Sequence, residues 1–412
     1  MSYSSDKSQY GNKKHVSIND YLLKMLNRIV SSVNMNSKNE KYAVLCIFID
    51  MQEAFSRLCH TNGIQSFIKN GVRGSLIPVL ASYFTNRKMY VKWQNCVSKI
   101  RDLPGSGAMG ANLGILEYLS ETNDIANCVP EDDRFRFIDD LTTLEVIKLL
   151  SVGLSTYNVK QHVPSDIPTH GQIIDRQHLK SQQYLNEINK WSNEHMMKIN
   201  KKKTKAMLFN FTHNFQFTTN LCLEDEQIEI VQKMKILGTI ISENLSWDAN
   251  CENIIRKVTK RMQMLVKCHS FGASNSEMVI LWISFCRSVL EQSCVVWDSS
   301  LTVENISDLE RLQKSFCKLV LNNEFESYET CLDKLNLQKL SERRKELTLK
   351  FAKNALKNQT MKDIFLENKK SHDMVTRKAE KWDNKFANTE RLKKCGILKM
   401  ISLLNDSEQV EI

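Results

Sequence analysis

Proline is scarce in this chain: 412 residues contain five, and none follows Pro168. Without a residue that removes a backbone donor and blocks the preceding turn, the chain from Trp247 onward reads as helical. The twelve cysteines contain no Cys-x-x-Cys pair and their gaps are irregular, which excludes the usual structural-zinc spacings. Cys46, Cys286 and Cys317 fall inside apolar runs, where a thiol packs as a small hydrophobe. A reduced, intracellular chain without structural zinc is therefore expected. Long apolar runs are also missing. The longest, residues 44–49 and 278–286, are too short to cross a bilayer, so no membrane partner is expected. Residues 1–14 are polar and charged, which argues against a signal peptide.

What is present is ordinary globular composition, 42% hydrophobic and 25% charged. That excludes a collagen, a coiled-coil rod and a mainly disordered chain. Lys and Arg total 57 against 47 Asp and Glu, a formal charge of +10, which favours polyanionic partners. Residues 341–412 hold over half of that excess.

The apolar spacing predicts a helix over residues 18–33, with Ile18, Leu22, Met25, Leu26 and Ile29 on one face. YAVLCIFI (42–49) is a continuous apolar run ending at Asp50, as in a buried central strand. Helices are expected over 51–69, 76–84 and 111–121, and a strand over 89–100. In RFRFIDDLTTLEV two apolar segments flank Asp139-Asp140, as in a β-hairpin with both carboxylates at its tip. Leu185, Ile188, Trp191, His195 and Ile199 predict a helix running into the lysines 198, 201, 202, 203 and 205. Strands are expected at 206–211, 227–231 and 235–241, and residues 155–178 as loop. From Trp247 on the pattern is helical: Ile254, Val258 and Leu265 share a face. Ser274-x-x-Glu277 is a capping box opening an apolar helix over 278–297, and Leu309, Leu312 and Phe316 form a further stripe.

Four features carry chemistry. Asp50 with Asp139 and Asp140 supplies carboxylates that repel when held together and suit hard, oxygen-seeking cations; a solvated turn is the bland alternative for the Asp-Asp step. Residues 103–110, LPGSGAMG, spell G-x-G-x-x-G, but the charged residues before them do not suit the buried strand of a dinucleotide fold. Glycines there let backbone approach a ligand, and the following helix N-terminus favours an anion. The lysine cluster is either a solvated turn or a phosphate contact, and the basic C-terminal third suits a nucleic-acid backbone. His195 and His269, with no ligand-spaced partner, read as surface or packing residues.

The order of these pieces resembles the palm of reverse transcriptases from non-LTR retrotransposons, from about Tyr42 to about Asn322. RFRFIDDLTTLEV resembles the family's aromatic-x-Asp-Asp hairpin and IFIDMQEAF its aspartate strand. LPGSGAMGANLGILEYL resembles its template-positioning turn and helix; NKWSNEHMMKINKKKTKAMLF and MKILGTII resemble the next two blocks. The resemblance implies an α/β (α+β) polymerase palm with a mixed sheet, followed by an all-helical thumb-like region. The boundaries it suggests are 1–40 (truncated fingers remnant), 41–242 (palm with fingers helices), 243–340 (thumb-like) and 341–412 (basic helical tail). By the same resemblance Asp50, Asp139 and Asp140 would hold two Mg²⁺, with Mn²⁺ as a substitute, for RNA-templated DNA synthesis. Phe55 would gate the ribose 2′-hydroxyl. Gly105, Gly107 and Gly110 would line the nascent base pair, and Lys203 or Lys205 would sit near the pyrophosphate. The implied partners are RNA template, DNA primer and dNTP, and the implied location is the nucleus. The chain departs from the family where Ala108-Met109 stands for Pro-Gln, where Ser56 stands for Asp, and in having 49 residues before Asp50. A catalytically inactive, retroelement-derived nucleic-acid-binding protein is the alternative.

Overall fold

The computed structural model describes residues 6–37, 40–103, 105, 111–149, 171–173, 179–212, 216–218, 220–357, 359–365, 382 and 389–409. The chain divides into two compact units, residues 1–17 with 37–231, and residues 18–36 with 232–412.

The first unit is built on one mixed five-stranded sheet. Its strands are β1 (Lys41–Ile49), β2 (Arg134–Phe137), β3 (Asp140–Leu149), β4 (Lys205–Phe209) and β5 (Glu229–Ile230), in the order β5-β4-β1-β3-β2. β1 lies in the middle, antiparallel to both β3 and β4, while β4 and β5 run parallel. The unbroken apolar run of β1 follows from that place: residues 43–49 are all buried, because neighbours cover both faces. Leu45, Ile47 and Ile49 join Tyr118, Leu119, Leu185, Ile188 and Trp191 in one core cluster.

The helices of this unit are α2 (His60–Lys69), α3 (Leu76–Phe84), α4 (Asn112–Glu121) and α5 (Lys180–Glu194). The helix expected from residue 51 begins only at His60; residues 51–52 form a short strand and 53–57 a turn. The single strand expected over 89–100 is a narrow antiparallel ribbon instead. It turns at Gln94, which takes φ +49°. Leu185, Ile188 and Trp191 face inward on α5 as the spacing predicts, but the helix stops before His195, and Ile199 lies in a strand. The expected loop falls mostly outside the described residues.

In the second unit, the strand expected over 235–241 is a hairpin of Lys233–Ile236 with Thr239–Ser242. Its two-residue turn, Leu237-Gly238, has φ of +47° and +90°, the pattern that matches strand twist in a tight hairpin. α1 (Ile18–Asn34) belongs here, burying Leu22, Met25, Leu26 and Ile29. α6 (Asp248–Ser270) buries Ile254, Val258 and Leu265. α7 (Asn275–Leu281) opens on the Ser274–Glu277 capping box. The apolar helix expected over 278–297 is interrupted: a π-helical segment covers Trp282–Arg287, and Ser293 takes φ +52° before Cys294–Trp297 resumes. Residues 275–300 are long and apolar enough to cross a membrane by length and composition, unlike the shorter apolar runs within them. In this unit their apolar side chains build a core, with Trp282 stacked on Phe316 at 4.6 Å between centroids. All twelve cysteines are free.

Candidate functional site

Asp50 is the residue at which the central strand leaves the core. The antiparallel register sets Ile49 opposite Leu141; Asp50 follows Ile49, Asp140 precedes Leu141 as the first residue of β3, and Asp50 is near enough to push both Asp139 and Asp140 upward. Asp139 occupies the two-residue turn between β2 and β3, where Phe137 pairs with Asp140. Asp50, Asp139 and Asp140 therefore stand where the central strand and the β2–β3 hairpin end.

The backbone of Asp50 is pinned on both sides: its carbonyl accepts from Asn200 N–H at 2.7 Å, and its amide donates to Thr204 Oγ1 at 3.4 Å. Burial pushes the Asp140 carboxyl up to about 6, and Asp139 and Asp50 push the same way. Asp139 is raised too, by burial first and by Asp50, against Lys203. This is like-charge crowding in a partly dry place. Lys203 Nζ lies 3.7 Å from Asp50 Oδ2. Among the described residues no group of three or more His, Cys, Asp or Glu is gathered closely enough to hold a metal. The donor set nonetheless fits a hard cation in kind: oxygen only, anionic and mutually repelling.

The other expected residues divide. Phe55 is half-buried, with its ring 5.0 Å from that of Tyr118. Gly105 lies so close to the turn before α2 that a Cβ would fall 2.9 Å from Leu58 O. Gly107 and Gly110 lie outside the described residues. Lys205 is held by Glu229 at 2.6 Å, and Lys201 by Glu224 and Glu226. Of the cluster, Lys203 is the member against the carboxylates. A polar groove of about 830 Å³ runs along the turn after α5, lined by Gln52, Asn193, Lys198, Asn200, Lys201 and Lys202 among others. His195 stacks on Trp191 at 4.5 Å and meets Asp124 at 3.2 Å, a packing role.

Sequence reasoning missed the residues that hold the hairpin from behind. Ser8 and Tyr10 hydrogen-bond the backbone of Arg136, so residues 8–10 extend the sheet beyond β2. Gln9 Oε1 accepts from Ile138 N–H at 2.9 Å and from Gly11 N–H at 2.8 Å. Ile138 needs that grip: its φ is +57°, the left-handed region that a β-branched residue avoids. Asp6, buried, receives Arg134 at 2.7 Å and Arg136 at 3.5 Å. Burial opposes its charge, but hydrogen bonds from Arg134 and Ser8 outweigh that and hold its carboxyl down to about 2. The only signal in the sequence is the pair of arginines alternating with phenylalanines in β2, buried cations that demand a buried acid.

No protein-family model matches the chain. A curated Drosophila melanogaster protein, described as a probable RNA-directed DNA polymerase from transposon BS, is 26% identical over 221 residues, which cover 53% of this chain and 22% of that protein. Among solved structures, apo telomerase from Candida tropicalis aligns over 86% of this chain and 56% of its own at 13% identity, with a TM-score of 0.39. Telomerase from Candida albicans, complexed with a fragment of telomeric RNA, aligns over 88% and 54% at 12% identity, with a TM-score of 0.40. Scores this low carry no argument of their own. The sequence similarity supports a reverse transcriptase-like protein.

Proposed function

We propose that this reverse transcriptase-like chain contains a nucleotidyl-transfer palm for RNA-templated DNA synthesis, with Asp50, Asp139 and Asp140 as its carboxylates. The observation that supports the reading is the pairing of Ile49 with Leu141, the residues next to Asp50 and Asp140. Burial, with the neighbouring carboxylates adding to it, raises Asp139 and Asp140, and a divalent cation would favour their charged forms. Asp50, Asp139 and Asp140 would hold Mg²⁺, or Mn²⁺ in its place, and the ions would supply charge neutralisation at the reacting phosphoryl oxygens. Lys203, 3.7 Å from Asp50, would be the lysine to meet a phosphate oxygen. Phe55 would read the sugar edge, its ring braced by Tyr118. Gly105 would keep the turn before α4 close to Leu58. The helical second unit would act as the thumb. RNA template, DNA primer and dNTP are the partners this assigns.

The test is extension of a labelled DNA primer on an RNA template with Mg²⁺ or Mn²⁺. Wild type should extend, and Asp140→Asn should lose at least about 100-fold, on the order of the loss when one charge-stabilising group is removed. Extension unaltered in both Asp139→Asn and Asp140→Asn would sink the assignment. A second reading, a nucleic-acid-binding protein without catalysis, is favoured by the Lys203–Asp50 pair and by the absence of a gathered metal cluster among the described residues. It predicts primed template bound by wild type and no product with either metal.

A further inference from the structure

The ribbon between α3 and α4 leaves both its faces uncovered. Lys88–Met89 pairs with Arg101–Asp102, and Lys92–Trp93 with Cys96–Val97. Every residue from 88 to 102 is exposed. Trp93 is 74% exposed, Ile100 66%, Val91 60% and Tyr90 58%. A two-stranded ribbon alone is marginal in water, and this one spends large apolar side chains without burying them.

Tyr90 lies between the two paired segments, Lys88–Met89 and Lys92–Trp93, so it stands between the cations Lys88 and Lys92; Trp93 adjoins Lys92, and Arg101 lies across from Met89. Residues 87–102 carry five cations, Arg87, Lys88, Lys92, Lys99 and Arg101, against the single acid Asp102. The Lys88–Asp102 pair, at 4.0 Å and exposed, neutralises little. The core of a protein interface is depleted in lysine. A surface on which bases stack combines exposed aromatic faces with interleaved cations that follow the phosphates. The ribbon has the second composition.

We propose that this ribbon is a single-stranded nucleic-acid contact, with Tyr90 and Trp93 as stacking faces and Lys88, Lys92, Lys99 and Arg101 on the phosphates. The proposal rests on the nucleic-acid reading above for the identity of the polyanion, and not on the carboxylates. It assigns the apolar exposure an occupant that requires no second protein.

The test uses the full chain and short labelled single-stranded RNA and DNA, read by anisotropy across a salt titration. Tyr90→Ala with Trp93→Ala should weaken binding at least about 30-fold, the loss expected when two bases lose their stacking partners, without lowering thermal stability. Lys88→Gln with Lys92→Gln should reduce the salt slope by roughly 1–2. Ribbon variants that bind as tightly as wild type would overturn the proposal while leaving the polymerase reading standing. Wild type that binds no nucleic acid would overturn both. Duplex bound as well as single strands, or self-association abolished by Trp93→Ala with oligonucleotide affinity unchanged, would also overturn it, the latter in favour of a second copy of this chain.

Discussion

At the residue scale, the carboxylate turn depends on one amide side chain. Gln9 bonds both the N–H and, at 3.4 Å, the carbonyl of Ile138, the residue that stores backbone strain. Residues in such conformations persist only where their surroundings over-determine them. Gln9→Leu leaves the Ile138 amide without its acceptor and should cost about 1–3 kcal/mol, measured by urea unfolding. Ile138→Gly removes the conformational penalty on the left-handed φ. In the Gln9→Leu background it should restore part of the stability that Gln9→Leu loses; no restoration would mean that Gln9 acts through some other contact. Gly11 fits the same place for a steric reason, since a Cβ there would come within 2.5 Å of Ile138 Cγ1.

At the element scale, two helices are built around features that their spacing alone does not reveal. α4 carries Glu117 and Glu121, one turn apart and both fully buried. Neither Glu117 carboxyl oxygen has a hydrogen-bond partner among the described residues, and at Glu121 a backbone contact from Cys59 favours the charged form without outweighing burial. Burial raises Glu117 to about 7, with Arg87 opposing; burial and then Glu117 raise Glu121 to about 8. Gly63 of α2 makes room for them, since a Cβ there would lie 3.0 Å from Glu117. Glu121→Gln keeps the shape and removes the charge, so it should stabilise the protein at pH 8 and change little at pH 4, by thermal melting. The segment over 275–297 shows the same gap between pattern and outcome. Its π-helical stretch and Ser293 turn redirect Trp282 onto Phe316 and Gln313. Trp282→Ala should cost roughly 3–5 kcal/mol, read in the same melts.

At the scale of the molecule, the first unit holds three titrating networks, Asp6 with its arginines, Glu117 with Glu121, and the raised Asp139 and Asp140, and the first two bound its pH profile on the acid and alkaline sides. Asp6 is held below its ordinary value, so its contribution is complete above about pH 4 and is lost as pH falls toward 2. Glu117 and Glu121 are held above theirs. Their contribution is complete below about pH 4.5 and is lost as pH rises to about 8. Unfolding of the first unit should therefore be hardest near pH 4–5, and Glu117→Gln with Glu121→Gln should flatten the alkaline limb. A limb unchanged in that double variant would assign the pH dependence elsewhere.

The sequence by itself determined β1, since a run of seven buried apolar residues has one economical place, the middle of a sheet. It determined the inward faces of α1, α5 and α6 through their period, and the start of α7 through its cap. It singled out Asp50, Asp139 and Asp140 because carboxylates beside apolar segments are unusual. Tertiary structure alone decided the rest. Whether Asp50 meets Asp140 is set by strand register, a long-range pairing that no local pattern encodes. That Lys203 rather than Lys205 faces the carboxylates follows from which lysines Glu224, Glu226 and Glu229 had already taken. Which polar residues hold the turn, Gln9 and Asp6, came from a segment more than a hundred residues away. Hydrophobic period reports which side of an element is dry; it says nothing of which element supplies the other half of a hydrogen bond.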